Sequence, residues 1–220
     1  MIYLTFEQVK KANKIATRHY KILTEQILEL AGKELSDFVY NKFKPKKVLI
    51  MYGKWDNGAG GLVCARHLIN RGVKVMIVKA SRRGGKFVRR RLKTLRRIGV
   101  NEVNDIEKAD VIIDALLGYD FKGIPKRRYL ELIERANSFK SRGMKIVSLD
   151  VPSGINTSTG ESAGSYIRAD YILTLGVPKK GLENKKNVYL VNIGIPNEVY
   201  NSLGVNIGNY FKDSDIVKIS

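Results

Sequence analysis

Acidic, amide and hydroxyl side chains stand in this chain where apolar runs give way to glycine-rich ones. Asp56 and Asn57 lie in Gly53–Gly61, just after Val48–Tyr52. Asp114 closes the run Val111–Ala115 and precedes the turn Gly118–Pro125, which carries Asp120. Asp150 follows Lys145–Leu149 and opens Asp150-Val-Pro-Ser-Gly154, which brings Ser153. Carboxylates at the ends of buried segments are costly unless paired, hydrogen-bonded or metal-bound. Glycine-dense turns expose backbone N–H groups to a phosphorylated ligand. The Asn57 amide, Asp114 carboxylate and Ser153 hydroxyl form an oxygen set suited to a hard cation rather than zinc. A second arrangement, Mg²⁺ at Asp56, Asp114 and Asp120, uses the same chemistry. Taken singly, each of these aspartates is better explained as a cap or turn former, so the argument rests on their convergence.

Such convergence needs elements that deliver each residue to one edge. Thr5 and Gln8 form a capping-box pattern ahead of Val9, Ala12 and Ala16, predicting a first helix. Thr24 opens a second, with Ile27, Ala31, Leu35 and Phe38 on one face, ended by Pro45. Apolar, β-branched runs at Val48–Tyr52, Val73–Val78, Val111–Ala115, Lys145–Leu149, Tyr171–Leu175 and Val188–Ile193 predict strands. Helical patterns at Leu62–Asn70, Lys86–Ile98 and Arg128–Phe139 lie between them, and a short tail follows the last strand. This alternation predicts an α/β fold: a Rossmann-like three-layer α/β/α sandwich, mostly parallel, preceded by two helices, with residues 1–220 as a single domain. Ligands bind such sheets at the strands' carboxyl ends.

Other classes are excluded or left without support. No apolar run reaches the roughly 18–20 residues of a membrane span, and the single cysteine, Cys64, excludes an internal disulfide and fits a reducing, cytoplasmic setting. With two histidines and no cysteine cluster, the chain lacks the usual donor set of a zinc or iron site, and His67 reads as structural. Ser153 lacks the Gly-x-Ser-x-Gly spacing of a nucleophile elbow. The glycines at 53, 58, 60 and 61 fit neither a phosphate loop nor the dinucleotide fingerprint, and Trp55 occupies the place of that fingerprint's second glycine. Net charge is +19, and ten of the 19 residues from Lys79 to Arg97 are Lys or Arg. That stretch reads as an amphipathic helix with a basic face, either simply solvated or bound to a polyanion such as RNA.

Together these segments resemble the YjeF N-terminal domain family, the NAD(P)H-hydrate epimerases. The resemblance rests on Trp55–Leu68, Asp114–Gly123, Asp150–Gly154, Pro178–Gly181 and Asn192–Pro196, with Leu4–Glu7 and Leu28–Gly32 following the leading helices. It implies interconversion of the R and S epimers of hydrated NADH or NADPH, often by a homodimer, with K⁺ held by Asn57, Asp114 and Ser153. It places substrate contacts at Asp56, Asn57, Gly58, Ala59 and Gly60, at Gly118, Tyr119, Asp120, Phe121, Lys122, Gly123 and Ile124, and at Asp150, which is also the expected catalytic acid/base. Many relatives carry a fused dehydratase; at 220 residues this chain leaves no room for one, so a separate dehydratase is expected.

Five positions depart from the family pattern: Asp56 stands for Asn, Gly60 for Asp, Tyr119-Asp120 for Thr-Gly, and Leu30 for Asn. Asp56 and Asp120 add negative charge where a pyrophosphate is expected, and a bound cation or Lys122, Lys179 and Lys180 are expected to offset part of it. Two function readings follow: an epimerase or close derivative, and a catalytically impaired module that binds a nucleotide or RNA through its basic surface.

Overall fold

A computed structural model describes residues 1–220. Helix α1 (Phe6–Arg18) starts at the expected capping box: Thr5 accepts from the Gln8 backbone, and the Gln8 side chain accepts from the Thr5 backbone. Helix α2 (Thr24–Phe43) stops at Lys44, whose left-handed backbone precedes Pro45. From there strands and helices alternate: β1 (Lys47–Tyr52), α3 (Asp56–Asn70), β2 (Lys74–Lys79), α4 (Lys86–Arg97), β3 (Asn101–Val103), β4 (Val111–Ala115), α5 (Arg128–Lys140), β5 (Lys145–Leu149) and β6 (Tyr171–Leu175). The chain ends with β7 (Val188–Val191), α6 (Asn197–Asn201) and β8 (Ile216–Lys218).

The eight strands form one sheet in the order β3-β2-β1-β4-β5-β6-β7-β8, parallel except for the β7–β8 pair. This is the expected Rossmann-like arrangement. The chain leaves β1 toward β2 on one side and later returns to β4 on the other, so the crevice between β1 and β4 is the switch point where open sheets take ligands. The central strands read as continuous apolar runs because helices cover both faces: Val48, Ile50 and Ile113 face a cluster with α2 and α3, while Leu49, Met51 and Ile112 face one with α5. No helix is long and apolar enough to cross a membrane.

Three short elements, β3, β8 and α6, have no counterpart in the sequence reading. β3 and β8 are only three residues each and partly exposed, so they lack the apolar run that signals a buried strand.

The glycine-rich stretch needs a correction. It is not a loop up to Leu62, because α3 begins at Asp56 and takes Gly58, Gly60 and Gly61 into its first turns. Helix propensity argues against this, and packing overrides it. A Cβ on Gly58 would sit 2.2 Å from the Gly53 carbonyl oxygen, and one on Gly61 would sit 2.5 Å from the Ala115 Cβ. These glycines let α3 press onto the sheet.

Candidate functional site

The carboxyl ends of β1, β4, β5 and β6 open into a cavity of about 510 Å³, roofed by α1 and α2. From α1 come Lys10, Asn13 and Lys14; from α2, Ile27, Leu28 and Ala31. The first turn of α3 contributes Trp55, Asp56, Asn57 and Gly60, so the helix begins at the cavity wall. The segment after β4 contributes Leu117 to Lys122, and the far wall carries Asp150, Leu175 and Lys179.

At the floor, Asp150 and Lys179 form a buried ion pair, Oδ1 to Nζ 2.8 Å, with relative exposures of 3% and 1%. Lys179 also donates to the Leu175 carbonyl. Asp150 further accepts from the backbone N–H of Leu175 at 3.3 Å and from that of Tyr119 at 3.2 Å. Its φ of +70° is left-handed, a conformation non-glycine residues adopt at a cost and which recurs at functional sites. The bend turns the carboxylate from the end of β5 toward the cavity. Burial depresses the Lys179 pKa, with Asp150 pulling it back up. The lysine is held by the N-terminus: Leu4 bridges Lys179, donating to the Pro178 carbonyl and accepting from the Lys180 N–H.

Beside this pair, Asp114 is fully buried and accepts four hydrogen bonds, from Ser148 Oγ (2.8 Å), Ser153 N (2.9 Å), Ser153 Oγ (2.6 Å) and Leu116 N (3.2 Å). It has no cationic partner within ion-pair distance. Burial raises its pKa, and the serine and backbone donors pull it down. Ser153 Oγ accepts from the Leu117 N–H at 2.9 Å. The Asn57 amide donates to the Leu117 carbonyl at 2.7 Å and to the Leu149 carbonyl at 3.2 Å. Asn57, Asp114 and Ser153 are thus joined through one short segment, residues 116–117. No group of three His, Cys, Asp or Glu side chains lies close enough to hold a metal ion. The alternative Mg²⁺ set is therefore not assembled: Asp114 is sealed below the floor while Asp56 and Asp120 lie on the open side.

Asp56 and Asp120 both have raised pKa values; partial burial is the main cause, with Asp120 adding to it for Asp56 and Asp150 for Asp120. Tyr119 packs on Phe6 with ring centroids 6.1 Å apart, and its carbonyl accepts from Thr157 Oγ1 at 2.7 Å. Lys122 stands 3.5 Å from Glu7.

Most of the expected contact residues meet here: Asp56, Asn57, Gly60, Gly118, Tyr119, Asp120, Phe121, Lys122 and Asp150 line the cavity. Gly58 and Ala59 lie buried inside α3, while Gly123 and Ile124 are exposed away from the cavity. Lys179 does not offset Asp56 and Asp120, since Asp150 holds it. The reading of His67 as structural fits its place: its Nε2 lies 2.9 Å from Glu29, which Arg66 also binds. What the residue-by-residue reading missed is the burial of Lys179 against Asp150 and the contribution of α1 to the cavity wall. A lysine between Pro178 and Lys180 gives no sequence sign of burial.

A family model described as YjeF-related protein N-terminus matches residues 24–181. The NAD(P)H-hydrate epimerase of Elusimicrobium minutum is 34% identical over 217 residues, covering 89% of this chain and 97% of that protein. That of Dehalogenimonas lykanthroporepellens is 33% identical, covering 92% and 86%. A bifunctional NAD(P)H-hydrate repair enzyme from Hyperthermus butylicus is 37% identical over 191 residues, covering 79% of this chain and 35% of that longer protein. The crystal structure of yeast ynu0 matches over 100% of both chains with a TM-score of 0.87 at 23% identity, a likeness of fold.

Proposed function

We propose that this chain, which belongs to the YjeF-related N-terminal family, epimerises hydrated NAD(P)H, with residues 1–220 acting as one unit. The observation that carries the reading is the buried Asp150–Lys179 pair at the floor of a cavity large enough for a nucleotide. The hydrated ring bears a hydroxyl on the carbon beside the ring nitrogen. Inversion proceeds by loss and readdition of that hydroxyl, or by opening and reclosing the carbon–nitrogen bond. In the first route the leaving hydroxyl takes a proton and departs as water, and the returning water gives one up. In the second the hydroxyl loses its proton and the ring nitrogen takes one as the carbon–nitrogen bond opens to an aldehyde, and both transfers reverse on closure. Both routes need one group that accepts and returns a proton beside that oxygen. Asp150, paired with Lys179 at 2.8 Å, is the acid/base group, and Lys179, its ammonium disfavoured by burial, is the proton reservoir.

The donor set at Asn57, Asp114 and Ser153 fits a monovalent cation, because Asp114 is a buried carboxylate with oxygen neighbours and no protein counter-charge. K⁺ held there would supply electrostatic balance, and these residues would keep the segment 116–119 in place. Asp56, Gly60, Gly118 and Asp120 with Lys10, Lys14 and Lys122 surround the place for the pyrophosphate. The proposal includes a cytoplasmic homodimer whose product is consumed by a dehydratase.

The test is epimerisation itself: one purified epimer of hydrated NADPH, K⁺, and the R/S ratio followed by chromatography against the spontaneous rate. A rate well above the spontaneous one, lost in Asp150→Asn, is expected; folded protein at the spontaneous rate overturns the reading. The rival, an RNA-binding module, has one observation in its favour: Arg89, Lys93 and Arg97 on α4 are exposed with no carboxylate within ion-pair reach. RNA anisotropy across a salt series separates the two, since phosphate neutralisation gives a steep salt slope.

A further inference from the structure

The sheet order places the carboxyl end of β2 next to that of β1, on the side of the cavity opposite Asp150. From β5 to β2 there are three strand spacings, about 14 Å, a distance that the two nucleotides of one pyrophosphate-linked ligand bridge. In sheets of this order an acidic residue near the end of the second strand takes the adenosine ribose 2′-hydroxyl, and an arginine there accommodates a 2′-phosphate. This chain has no Asp or Glu anywhere between Asp56 and Glu102. Beyond Lys79 it runs Ala80-Ser-Arg-Arg-Gly-Gly85, then Lys86. Arg82, Arg83 and Lys86 are exposed, and none has a carboxylate within ion-pair distance, although the chain pairs Arg90 with Glu25 and Arg96 with Glu102 nearby.

The same segment is fastened to the cavity wall. The Gly85 N–H donates to the Lys54 carbonyl at 2.7 Å. The Trp55 ring lies against Gly85, where a Cβ would come within 3.6 Å of Cε3. Trp55 lines the cavity, yet is 57% exposed, and Lys54 Nζ stands 4.5 Å from the ring centroid. The exposed indole stands between a nucleotide-sized cavity and a cluster of unpaired cations. It offers a surface on which a base stacks.

We infer that Trp55 carries the adenine of the dinucleotide and that Arg82, Arg83 and Lys86 bind a phosphate on its ribose 2′-carbon, so that the phosphorylated hydrate is the preferred substrate. The inference rests on the dinucleotide reading above and adds to it a choice between the two forms.

Binding of adenosine 2′,5′-bisphosphate, adenosine 3′,5′-bisphosphate and AMP by titration calorimetry tests it without any turnover. The 2′,5′ isomer should bind about tenfold more tightly than AMP, the size of one charge-assisted contact pair. It should also bind more tightly than the 3′,5′ isomer, which carries the same charge. Arg82→Ala with Arg83→Ala should abolish both differences while leaving AMP affinity in place, and Trp55→Ala should weaken all three ligands. Equal affinity for the two isomers, or a preference surviving the double variant, overturns the inference. The 2′ preference in a protein that does not epimerise would keep this subsite and remove the reaction; epimerisation at equal rates on both hydrates, with no 2′ preference, would do the reverse.

Discussion

At the carboxyl ends of β4 and β5 the charged groups are buried and each oxygen is accounted for, whereas past the end of β2 they are exposed and unpaired. The first region holds Asp114 and Asp150, the second Arg82, Arg83 and Lys86. A buried charge has to be positioned, because the low dielectric makes every missing partner expensive. An exposed charge costs little to keep and is free to meet a ligand. Under the proposed function, the contrast separates a region for fixed proton chemistry from one for recognition, and each kind fails differently when altered.

The largest effect is expected at the buried pair. Lys179→Met leaves the Asp150 carboxylate without its cation, and breaking such a pair costs roughly 3–5 kcal/mol. Asp150→Asn should cost less stability, since an amide oxygen can still accept from Lys179, but should remove epimerisation. The double variant Asp150→Asn, Lys179→Met recovers part of the stability without recovering turnover. Chemical denaturation and the R/S assay, run on the same three proteins, check this. If the double variant turned over normally, the pair would be only structural, and the contrast between the two regions would lose its chemical meaning.

Next in size is Asp114→Ala. It strips the partner from two serine hydroxyls and two backbone N–H groups, and an unsatisfied buried donor costs about 1–3 kcal/mol. Thermal melts in KCl and in choline chloride should show K⁺ stabilising the parent but not the variant. The same K⁺ response in both would remove the cation from this site.

These sites were legible in the sequence to different degrees. The strands of the sheet centre were readable because residues covered on both faces form unbroken apolar runs, and the segments at the ends of three of them carry an acidic residue. Asp114 and Asp150 followed from those strand ends together with the family resemblance, and Ser153 from the resemblance and its hydroxyl oxygen. The start of α3 was not readable, since Gly58, Gly60 and Gly61 oppose a helix until the close approach of Gly53 and Ala115 is known. Nor was the burial of Lys179, which depends on Leu4, 175 residues away in the chain, closing over it. The end of β2 was visible only as a basic run; strand order turned it into a position beside the cavity.

The smallest effect, and the one that bears most directly on the border between the two regions, concerns Asp56 and Asp120. Both residues are exposed on the open side of the cavity, yet partial desolvation there holds their carboxyls above the ordinary 3.8. The sign follows from linkage: a carboxyl raised in the folded state favours folding below its ordinary pKa, and that contribution is lost as pH rises through the folded value. Ligand binding sharpens the same trend, because an ionised Asp56 or Asp120 repels a pyrophosphate. Affinity for NADP⁺ should therefore strengthen as pH falls through the raised values, before any change expected of an exposed aspartate. Asp56→Asn with Asp120→Gly should bind about tenfold more tightly at pH 7, the scale of one like-charge contact in a partly desolvated site, and should lose the acid-side rise. Calorimetric titration of parent and double variant across pH 4–7 would show it. A parent affinity flat across that range would mean that the pyrophosphate lies beyond the reach of both carboxylates, and that the cations of α1 alone hold it.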